Sequence, residues 1–171
     1  TIAVVERSGL RGRGGAGFPL AQKLRTTRTA AALAGTAYVV ANAYDSDPDS
    51  PLSRTLLERK PDLVIDGIAI AARVVGAEQA YLYLHPEAHA ARASAEKALA
   101  RRAPDGVRID IALGPGGFMG GEESALLAVL ENRRAMARQR PPWPAEQGIA
   151  LRPTLVSSAE TLAALPPIVR D

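Results

Sequence analysis

Cysteine is absent from the 171 residues of this chain. The sequence therefore excludes a disulfide framework, a thiol nucleophile, and cysteine ligands for zinc or an iron–sulfur cluster. The two histidines, His85 and His89, have no acidic or hydroxyl partner at a spacing typical of catalysis, and we expect both to be surface or strand-end residues. We expect no metal site, and any redox chemistry must come from a bound organic cofactor.

Aromatic residues and long apolar runs are also scarce. Aromatics make up 4% of the chain, which leaves few rings on which bases could stack. The net charge is +3, but the basic residues form no clear stripe outside 132–140, which we interpret as a solvated helix end. No apolar run approaches the roughly 18 residues of a membrane span, and the first residues lack a signal-peptide layout. We expect a soluble protein without a nucleic-acid partner, either free in the cytoplasm or peripheral to a membrane complex.

What the chain does contain is an alternation of strand-like and helix-like segments. Alternation of this kind predicts an α/β fold with three layers, in which helices flank a mostly parallel, Rossmann-like sheet. We expect residues 1–171 to form a single domain. The predicted strands are Ala37–Ala41, Ala80–Leu84 and Arg108–Leu113, and the predicted helices are Pro61–Val75, Pro86–Arg102 and Glu122–Glu131.

Two loops of this fold should meet. In parallel sheets the ligand site lies beyond the carboxyl ends of the strands. The loop after the first strand, Asn42–Ser53, and the loop after the third, Gly114–Gly121, should therefore converge on one crevice. Pro-rich residues 140–144 are the one segment typical of a linker.

The first glycine cluster, Gly12–Gly17, has glycines at the first, third and sixth positions of a dinucleotide-binding pattern. Its backbone N–H groups could form an anion nest, with Arg11 and Arg13 beside it. Alone the pattern is weak, because Pro19 follows soon after. A flexible glycine-rich connection remains the alternative.

The second cluster, Gly114–Gly121, leads into two acids rather than the lysine and hydroxyl of a phosphate loop, so we exclude Walker-type nucleotide binding. Glu122 and Glu123 either accept hydrogen bonds from sugar hydroxyls or a ring N–H, or merely complement a helix dipole. The acidic loop at 45–49 lacks the glycine and the closing glutamate of a calcium loop. Trp143 is either a stacking face for a flat ligand or a plug over the core.

Five blocks then occur in order: the run from Ser8 to Pro19 with Lys23 downstream, Asn42-Ala43, the run 121–127, Pro-Pro-Trp-Pro-Ala at 141–145, and Pro153-Thr154 with 160–162. In this order they resemble the flavin-binding subunit of respiratory complex I and its relatives in NAD-linked hydrogenases and formate dehydrogenases. The blocks cover nearly the whole chain. Such a series is far more specific than one glycine pattern.

The resemblance implies a module that binds FMN and NAD(H) and passes a hydride from NADH to the flavin. It also implies iron–sulfur electron-transfer subunits as partners in a larger redox complex. Carried over, the first glycine cluster and Lys23 would face the flavin and its phosphate, and Phe18 would stack near the NADH adenine. Asp45, Asp47 and Glu123 would lie nearest the nicotinamide, although no catalytic residue is assigned. The cofactor-binding residues implied are Gly12, Arg13, Gly14, Gly15, Phe18, Lys23, Asn42, Tyr44, Asp45, Asp47, Phe118, Gly121, Glu122, Glu123, Arg140, Trp143, Ser157 and Ser158.

The chain also departs from the family pattern. Tyr44 stands where the family has Asp, Ser157-Ser158 replace paired Asn, and Phe118 replaces Tyr. The cysteine-ligated cluster domain of the family has no counterpart here, so the chain is either a fragment or a stripped homologue. Two alternatives follow: a degenerate homologue that serves as a structural or docking subunit, and a plain dinucleotide-binding oxidoreductase with Asp45 on the ribose.

Overall fold

A sheet of four parallel strands forms the centre of the structure, a computed structural model that describes residues 1–47, 49–103 and 105–170. The strands are β1 (Tyr38–Ala43), β2 (Gln79–Leu84), β3 (Arg108–Leu113) and β4 (Thr154–Ser158), in the order β3-β2-β1-β4. The chain winds outward from β1 to β3 and then returns to the other side of β1. The winding therefore reverses between β1 and β4, the position at which open α/β sheets bind their ligands.

Helices cover both faces of this sheet, which confirms the predicted fold class. Ala41 and Leu82 point into a large core formed with the helices of one face, whereas Val40 and Tyr83 point into a smaller core against a single helix. This alternation along each strand follows from the two-residue period of a β-strand. The helices are α1 (Ile2–Arg7), α2 (Leu20–Ala34), α3 (Leu52–Arg59), α4 (Pro61–Val75), α5 (His89–Arg101), α6 (Glu123–Leu130), α7 (Ala159–Ala163) and α8 (Leu165–Arg170).

The predicted elements are all present. Strand β3 and helix α4 have the predicted bounds, and the others differ by one to three residues at an end. Helix α4 begins with Pro61 and ends at Gly76, whose φ of 75° suits the left-handed residue after a helix. Strand β4 and helices α1, α2, α3, α7 and α8 were not predicted. No helix in the described part of the chain has the length and apolar character needed to cross a membrane.

Replacing Gly67 by alanine should destabilise the fold by about 1–3 kcal/mol. Gly67 lies where α4 crosses α7, and an added Cβ would stand 2.0 Å from the Leu162 carbonyl oxygen, a backbone atom that cannot rotate away. Urea unfolding followed by circular dichroism measures the loss. Gly14→Ala is the matched control, because no heavy atom lies within 4 Å of its Cβ position. Equal stability of the two variants would contradict the packing.

Candidate functional site

Residues 12–18 form a closed loop that leads directly into α2. The Gly12 N–H donates to the Phe18 carbonyl at 2.8 Å, and the Arg11 side chain donates to the Gly17 carbonyl at 3.0 Å. Gly14, Gly15 and Gly17 have no heavy atom within 4 Å of their Cβ positions. The backbone face of this glycine loop is therefore free of side chains, so a ligand can approach the peptide groups closely.

The glycine loop, the carboxyl ends of β1 and β4, and the start of α6 enclose a space of about 340 Å³, which we call the main crevice. It lies at the reversal point of the sheet, and its volume is within the range of small-molecule sites. A larger but more open groove of about 800 Å³ between α2 and α4 is lined by none of the predicted site residues. The predicted residues that line the main crevice are Gly12, Gly14, Phe18, Lys23, Asn42, Gly121, Glu122, Glu123, Arg140, Ser157 and Ser158.

The two loops predicted to converge do so. The Asn42 side-chain amide, at the end of β1, donates to the Gly121 carbonyl at 2.9 Å. Added Cβ atoms on Gly114 and Gly120 would stand 2.3 and 2.4 Å from atoms of the Tyr44 ring and hydroxyl. The second glycine cluster therefore needs glycine because it lies directly on the Tyr44 side chain.

Two cations and two acids form a network at the mouth of the main crevice. Lys23 Nζ donates to the Val156 carbonyl at 2.9 Å and pairs with Glu123 Oε1 at 3.1 Å. Arg140 Nη1 contacts Glu123 Oε2 at 3.0 Å, and its Nη2 contacts Glu122 Oε1 at 3.1 Å. The Arg140 guanidinium thus bridges both carboxylates, and both oxygens of Glu123 are already paired.

Glu122 and Glu123 have different roles. Glu122 precedes α6, and its Oε2 accepts from the backbone N–H groups of Ser124 and Ala125 at 2.8 Å each. It also accepts from the Ser124 hydroxyl at 2.6 Å. Glu122 is therefore the N-cap of α6 and also pairs with Arg140 through Oε1, whereas Glu123 pairs with both Lys23 and Arg140.

A second cleft, of about 520 Å³, shares Phe18, Lys23, Glu123 and Arg140 with the main crevice and extends to Trp143. The Phe18 and Trp143 side chains are 44% and 54% exposed, so Trp143 is not a plug over the core. The Arg140 guanidinium carbon lies 5.2 Å from the centroid of the Trp143 ring, within cation–π range. Two open aromatic faces beside a cation suit a flat, anionic ligand.

A third cleft adjoins the main crevice and shares Gly14, Asn42 and Ser158 with it. Four predicted residues line this third cleft and not the main crevice: Arg13, Tyr44, Asp45 and Asp47. Asp45 caps the start of α3, since its carboxylate accepts from the N–H groups of Ser53 at 3.1 Å and Arg54 at 2.8 Å. The Tyr44 side chain is fully buried beneath the second glycine cluster. The structure thus places the Asp45 carboxylate and the Tyr44 ring outside the main crevice. Within the described residues, Gly15 and Phe118 line none of the three clefts.

The segment 132–140 is not a helix end, which corrects the sequence interpretation. Helix α6 ends at Leu130, and the following arginines turn back onto acids. Arg133 and Arg138 both pair with Glu131, which also accepts from the Ala150 N–H at 2.8 Å. Burial disfavours the Glu131 charge, but these hydrogen bonds prevail and lower its pKa. The basic segment is therefore fastened to the fold by ion pairs.

Sequence reasoning missed Thr161 and Val156. The Thr161 hydroxyl accepts from the Arg13 N–H at 2.9 Å and so ties the glycine loop to α7. Thr161 belongs to one of the blocks that carry the resemblance, which was the available signal. Val156 contributes its backbone carbonyl to Lys23, and no side-chain pattern could reveal that contact.

Glu160 lies in the third cleft, and its pKa is raised by burial and by the nearby Asp45 charge, with Arg13 opposing. A raised pKa in the folded state means that stability falls as pH rises above the ordinary value of 4.5. Glu160→Gln removes this charge, so its stability relative to wild type should increase from pH 4.5 to neutral pH. Urea unfolding at several pH values measures the difference. A relative stability that decreases with pH would contradict the placement of Glu160.

Comparison with solved structures agrees with this fold. An NAD⁺-reducing [NiFe]-hydrogenase in the H₂-reduced state superposes with a TM-score of 0.90 at 40% sequence identity. The match covers 99% of this chain and 30% of that chain. The air-oxidized state of an NAD⁺-reducing [NiFe]-hydrogenase gives a TM-score of 0.82 at 38% identity.

Curated relatives point the same way. The chain is 37% identical over 180 residues to the F 2 subunit of NADH-quinone oxidoreductase from Rhizobium meliloti (strain 1021), covering 98% of this chain and 42% of the relative. It is 36% identical over 177 residues to the F subunit of NADH-quinone oxidoreductase from Aquifex aeolicus (strain VF5), covering 96% and 41%. The chain thus spans about 42% of the length of such relatives. The model of the Nuo51 FMN-binding domain matches residues 5–167, and the chain therefore belongs to that family.

Proposed function

We propose that this chain is the flavin module of an NADH-oxidising complex, in which it binds FMN and NAD(H) side by side and supports hydride transfer between them. The main crevice carries this proposal: an open glycine loop, one lysine, and polar groups from two strand ends enclose it at the reversal point of the sheet. Membership of the Nuo51 FMN-binding domain family supports the choice of FMN.

The crevice residues fit a ligand that carries a phosphate. Glycines 14 and 17 leave the backbone of the loop uncovered, and Lys23 places an ammonium group in the first turn of α2. The N-terminus of a helix favours an anion through its free N–H groups and its dipole. We propose that Lys23 and the glycine loop hold the FMN phosphate.

The other walls fit the remainder of FMN. Asn42, Ser157 and Ser158 bring an amide and two hydroxyls to the crevice from adjacent strands β1 and β4. Such groups can bond the ribityl hydroxyls and the polar edge of a flavin ring. When bound, FMN would accept the hydride from nicotinamide, so the chain needs no side-chain nucleophile.

We propose the second cleft for NAD(H). Phe18 and Trp143 offer open rings for an adenine, and Arg140 offers a guanidinium for a pyrophosphate. Lys23, Glu123 and Arg140 line both clefts, so their network stands between the two ligands. Each Glu123 oxygen is paired with one cation and keeps a second lone pair, so a ligand can bond this carboxylate without displacing Lys23 or Arg140.

The electrons must leave to another carrier, since these 171 residues hold no cysteine to ligate a cluster. We propose an iron–sulfur subunit of the same complex as the acceptor, on the cytoplasmic side, with residues 1–171 acting as one domain. The relatives named as subunits of NADH-quinone oxidoreductase support an assembly of this kind.

The docking-subunit alternative rests mainly on Tyr44, the bulky residue at an expected flavin position. Its side chain is buried beneath the second glycine cluster and leaves the main crevice open. This placement favours ligand binding over a purely structural role.

A titration of the purified chain with FMN tests the proposal. We expect quenching of flavin fluorescence with saturable binding, a flavin absorption spectrum that stays with the protein after desalting, and NADH-dependent reduction of ferricyanide by the loaded protein. Absence of FMN binding by both fluorescence and calorimetry would overturn the flavin assignment. FMN binding without ferricyanide reduction would instead favour a structural role.

A further inference from the structure

Thr161 makes an unusual set of contacts for a helix residue. It lies fully buried in α7, and its hydroxyl accepts from the Arg13 N–H at 2.9 Å across 148 positions of sequence. The same hydroxyl lies 2.7 Å from the Ser158 hydroxyl. Thr161 therefore connects the glycine loop on one side with the end of β4 on the other.

The hydrogen atoms of these groups can be assigned by counting acceptors. The Thr161 hydroxyl has one hydrogen to donate, and the Ser158 hydroxyl is its one acceptor among the described residues. Either oxygen could donate by geometry, but the fully buried Thr161 O–H has no other acceptor among the described residues, whereas the Ser158 O–H opens onto the main crevice, so Thr161 is assigned as the donor. Ser158 Oγ also accepts from the Thr161 N–H at 3.3 Å, in the usual N-cap geometry. Both lone pairs of Ser158 Oγ are then in use.

What remains free on Ser158 is its own hydrogen. Ser158 lines both the main crevice and the third cleft. Its hydroxyl is within hydrogen-bond distance of one other described side chain, Thr161, and Thr161 is the donor in that bond, so the Ser158 hydrogen has no acceptor among the described residues. Ser158 can therefore offer a ligand a donor but no acceptor. A ligand atom that contacts it has to be an oxygen or nitrogen with a free lone pair.

We propose that Thr161 is a positioning residue that acts on the ligand through two arms. One arm holds the glycine loop at the Arg13 N–H, and the other orients the Ser158 hydroxyl as a donor toward a phosphate or carbonyl oxygen of the ligand. The identity of that ligand as FMN rests on the proposed function, whereas the loop arm does not. Arg13 accordingly contributes its backbone N–H to the fold, and that N–H is not free for the ligand.

Three variants test both arms: Thr161→Val, which keeps the shape and removes the hydroxyl; Thr161→Ser, which keeps the hydroxyl; and Ser158→Ala. We expect Thr161→Val and Ser158→Ala each to weaken FMN binding about tenfold, and Thr161→Ser to stay within about twofold of wild type. Because these two weakening substitutions break the same chain of hydrogen bonds, the double variant should lose less than the product of the single losses.

Hydrogen exchange of the Arg13 backbone amide, measured by NMR without ligand, tests the loop arm independently of ligand binding. We expect exchange about tenfold faster or more in Thr161→Val, and wild-type protection in Thr161→Ser. Riboflavin locates the other arm: a Ser158→Ala loss confined to FMN assigns the donor to the phosphate, and an equal loss with riboflavin assigns it to the remainder of the flavin.

Unchanged Arg13 exchange in a folded Thr161→Val protein would overturn the loop arm, and unchanged FMN affinity in Ser158→Ala would overturn the donor arm. Failure of Thr161→Ser to rescue would show that the methyl packing matters instead of the hydroxyl. Should Thr161→Val not fold, Thr161→Ala repeats the Arg13 exchange measurement for the loop arm, and Ser158→Ala still decides the donor arm. If wild type bound no FMN, the proposed function would fail while the exchange measurement still tested Thr161.

Discussion

Replacing Lys23 by methionine should weaken FMN binding about 100-fold, because a charge-assisted hydrogen bond to a phosphate contributes about 1.5–3 kcal/mol. Lys23 Nζ lies between the Val156 carbonyl and Glu123 at the edge of the main crevice. Methionine preserves most of the length of the side chain and removes the ammonium group. The loss should therefore come from the missing cation. It should be increased by the negative charge of Glu123, which would keep Arg140 as its one cationic partner among the described residues.

Fluorescence titration at constant salt measures the loss. Arg28→Met is the matched control, since Arg28 lies on the same helix and lines the groove away from the main crevice. It should bind FMN as wild type does. Riboflavin lacks the phosphate, so Lys23→Met should weaken its binding by less than about tenfold. Equal losses with FMN and riboflavin would show that Lys23 does not bind the phosphate, and a loss below about threefold with FMN would remove it from the site.

The sequence predicted the fold class, six of its elements and the convergence of two loops. Strand β3 and helix α4 carry strong local signals: an alternating Ile-rich run, and a proline start with a glycine stop. The convergence of the two loops followed from the parallel order of the strands alone. The hydrogen bond from the Asn42 side chain to the Gly121 carbonyl joins these two loops.

Other parts of the fold could not be predicted because tertiary contacts decide them. Strand β4 has five residues, three of them Thr or Ser, and only its pairing with β1 shows that this short segment is a strand. Helix α2 alternates threonines, arginines and alanines with little apolar periodicity. Its place is determined by the glycine loop before it and by Leu20 and Leu24 in the core.

Among the site residues, the type of each side chain was predictable but its partner was not. Glu122 and Glu123 are adjacent acids, and both could have faced the ligand. The start of α6 takes one of them as its N-cap, and Glu123 remains for Lys23 and Arg140. Asp45 is used in the same way by α3. In both loops an acid that precedes a helix satisfies free backbone N–H groups first.

Tyr44 also changes meaning once its surroundings are known. It stacks on Tyr83 with ring centroids 5.4 Å apart and lies 4.9 Å from the His85 ring. Burial raises the pKa of both tyrosines above the ordinary value, further from neutral pH. The backbone of Gly114, Gly120 and Gly121 packs directly against the Tyr44 ring, and α6 begins two residues after Gly121. Tyr44 thus supports, from inside the core, the loop that ends at Glu122 and Glu123.

Truncation of the Tyr44 side chain should strongly destabilise the fold. Tyr44→Ala should lower the free energy of unfolding by about 3–5 kcal/mol, the range for removing a large buried ring and leaving a cavity. Tyr44→Phe should remain within about 1 kcal/mol of wild type, because the Tyr44 hydroxyl has no hydrogen-bond partner among the described residues. Urea unfolding followed by circular dichroism measures both variants.

Tyr38→Ala is the matched control for this pair. Tyr38 lies on the same face of β1 but is only partly buried, so its truncation should cost clearly less than that of Tyr44. A Tyr44→Phe variant as unstable as Tyr44→Ala would mean that the hydroxyl, and not the ring, holds the loop. With the ring kept and the hydroxyl removed, FMN affinity should be unchanged, because phenylalanine still fills the space beneath the three glycines that position the start of α6.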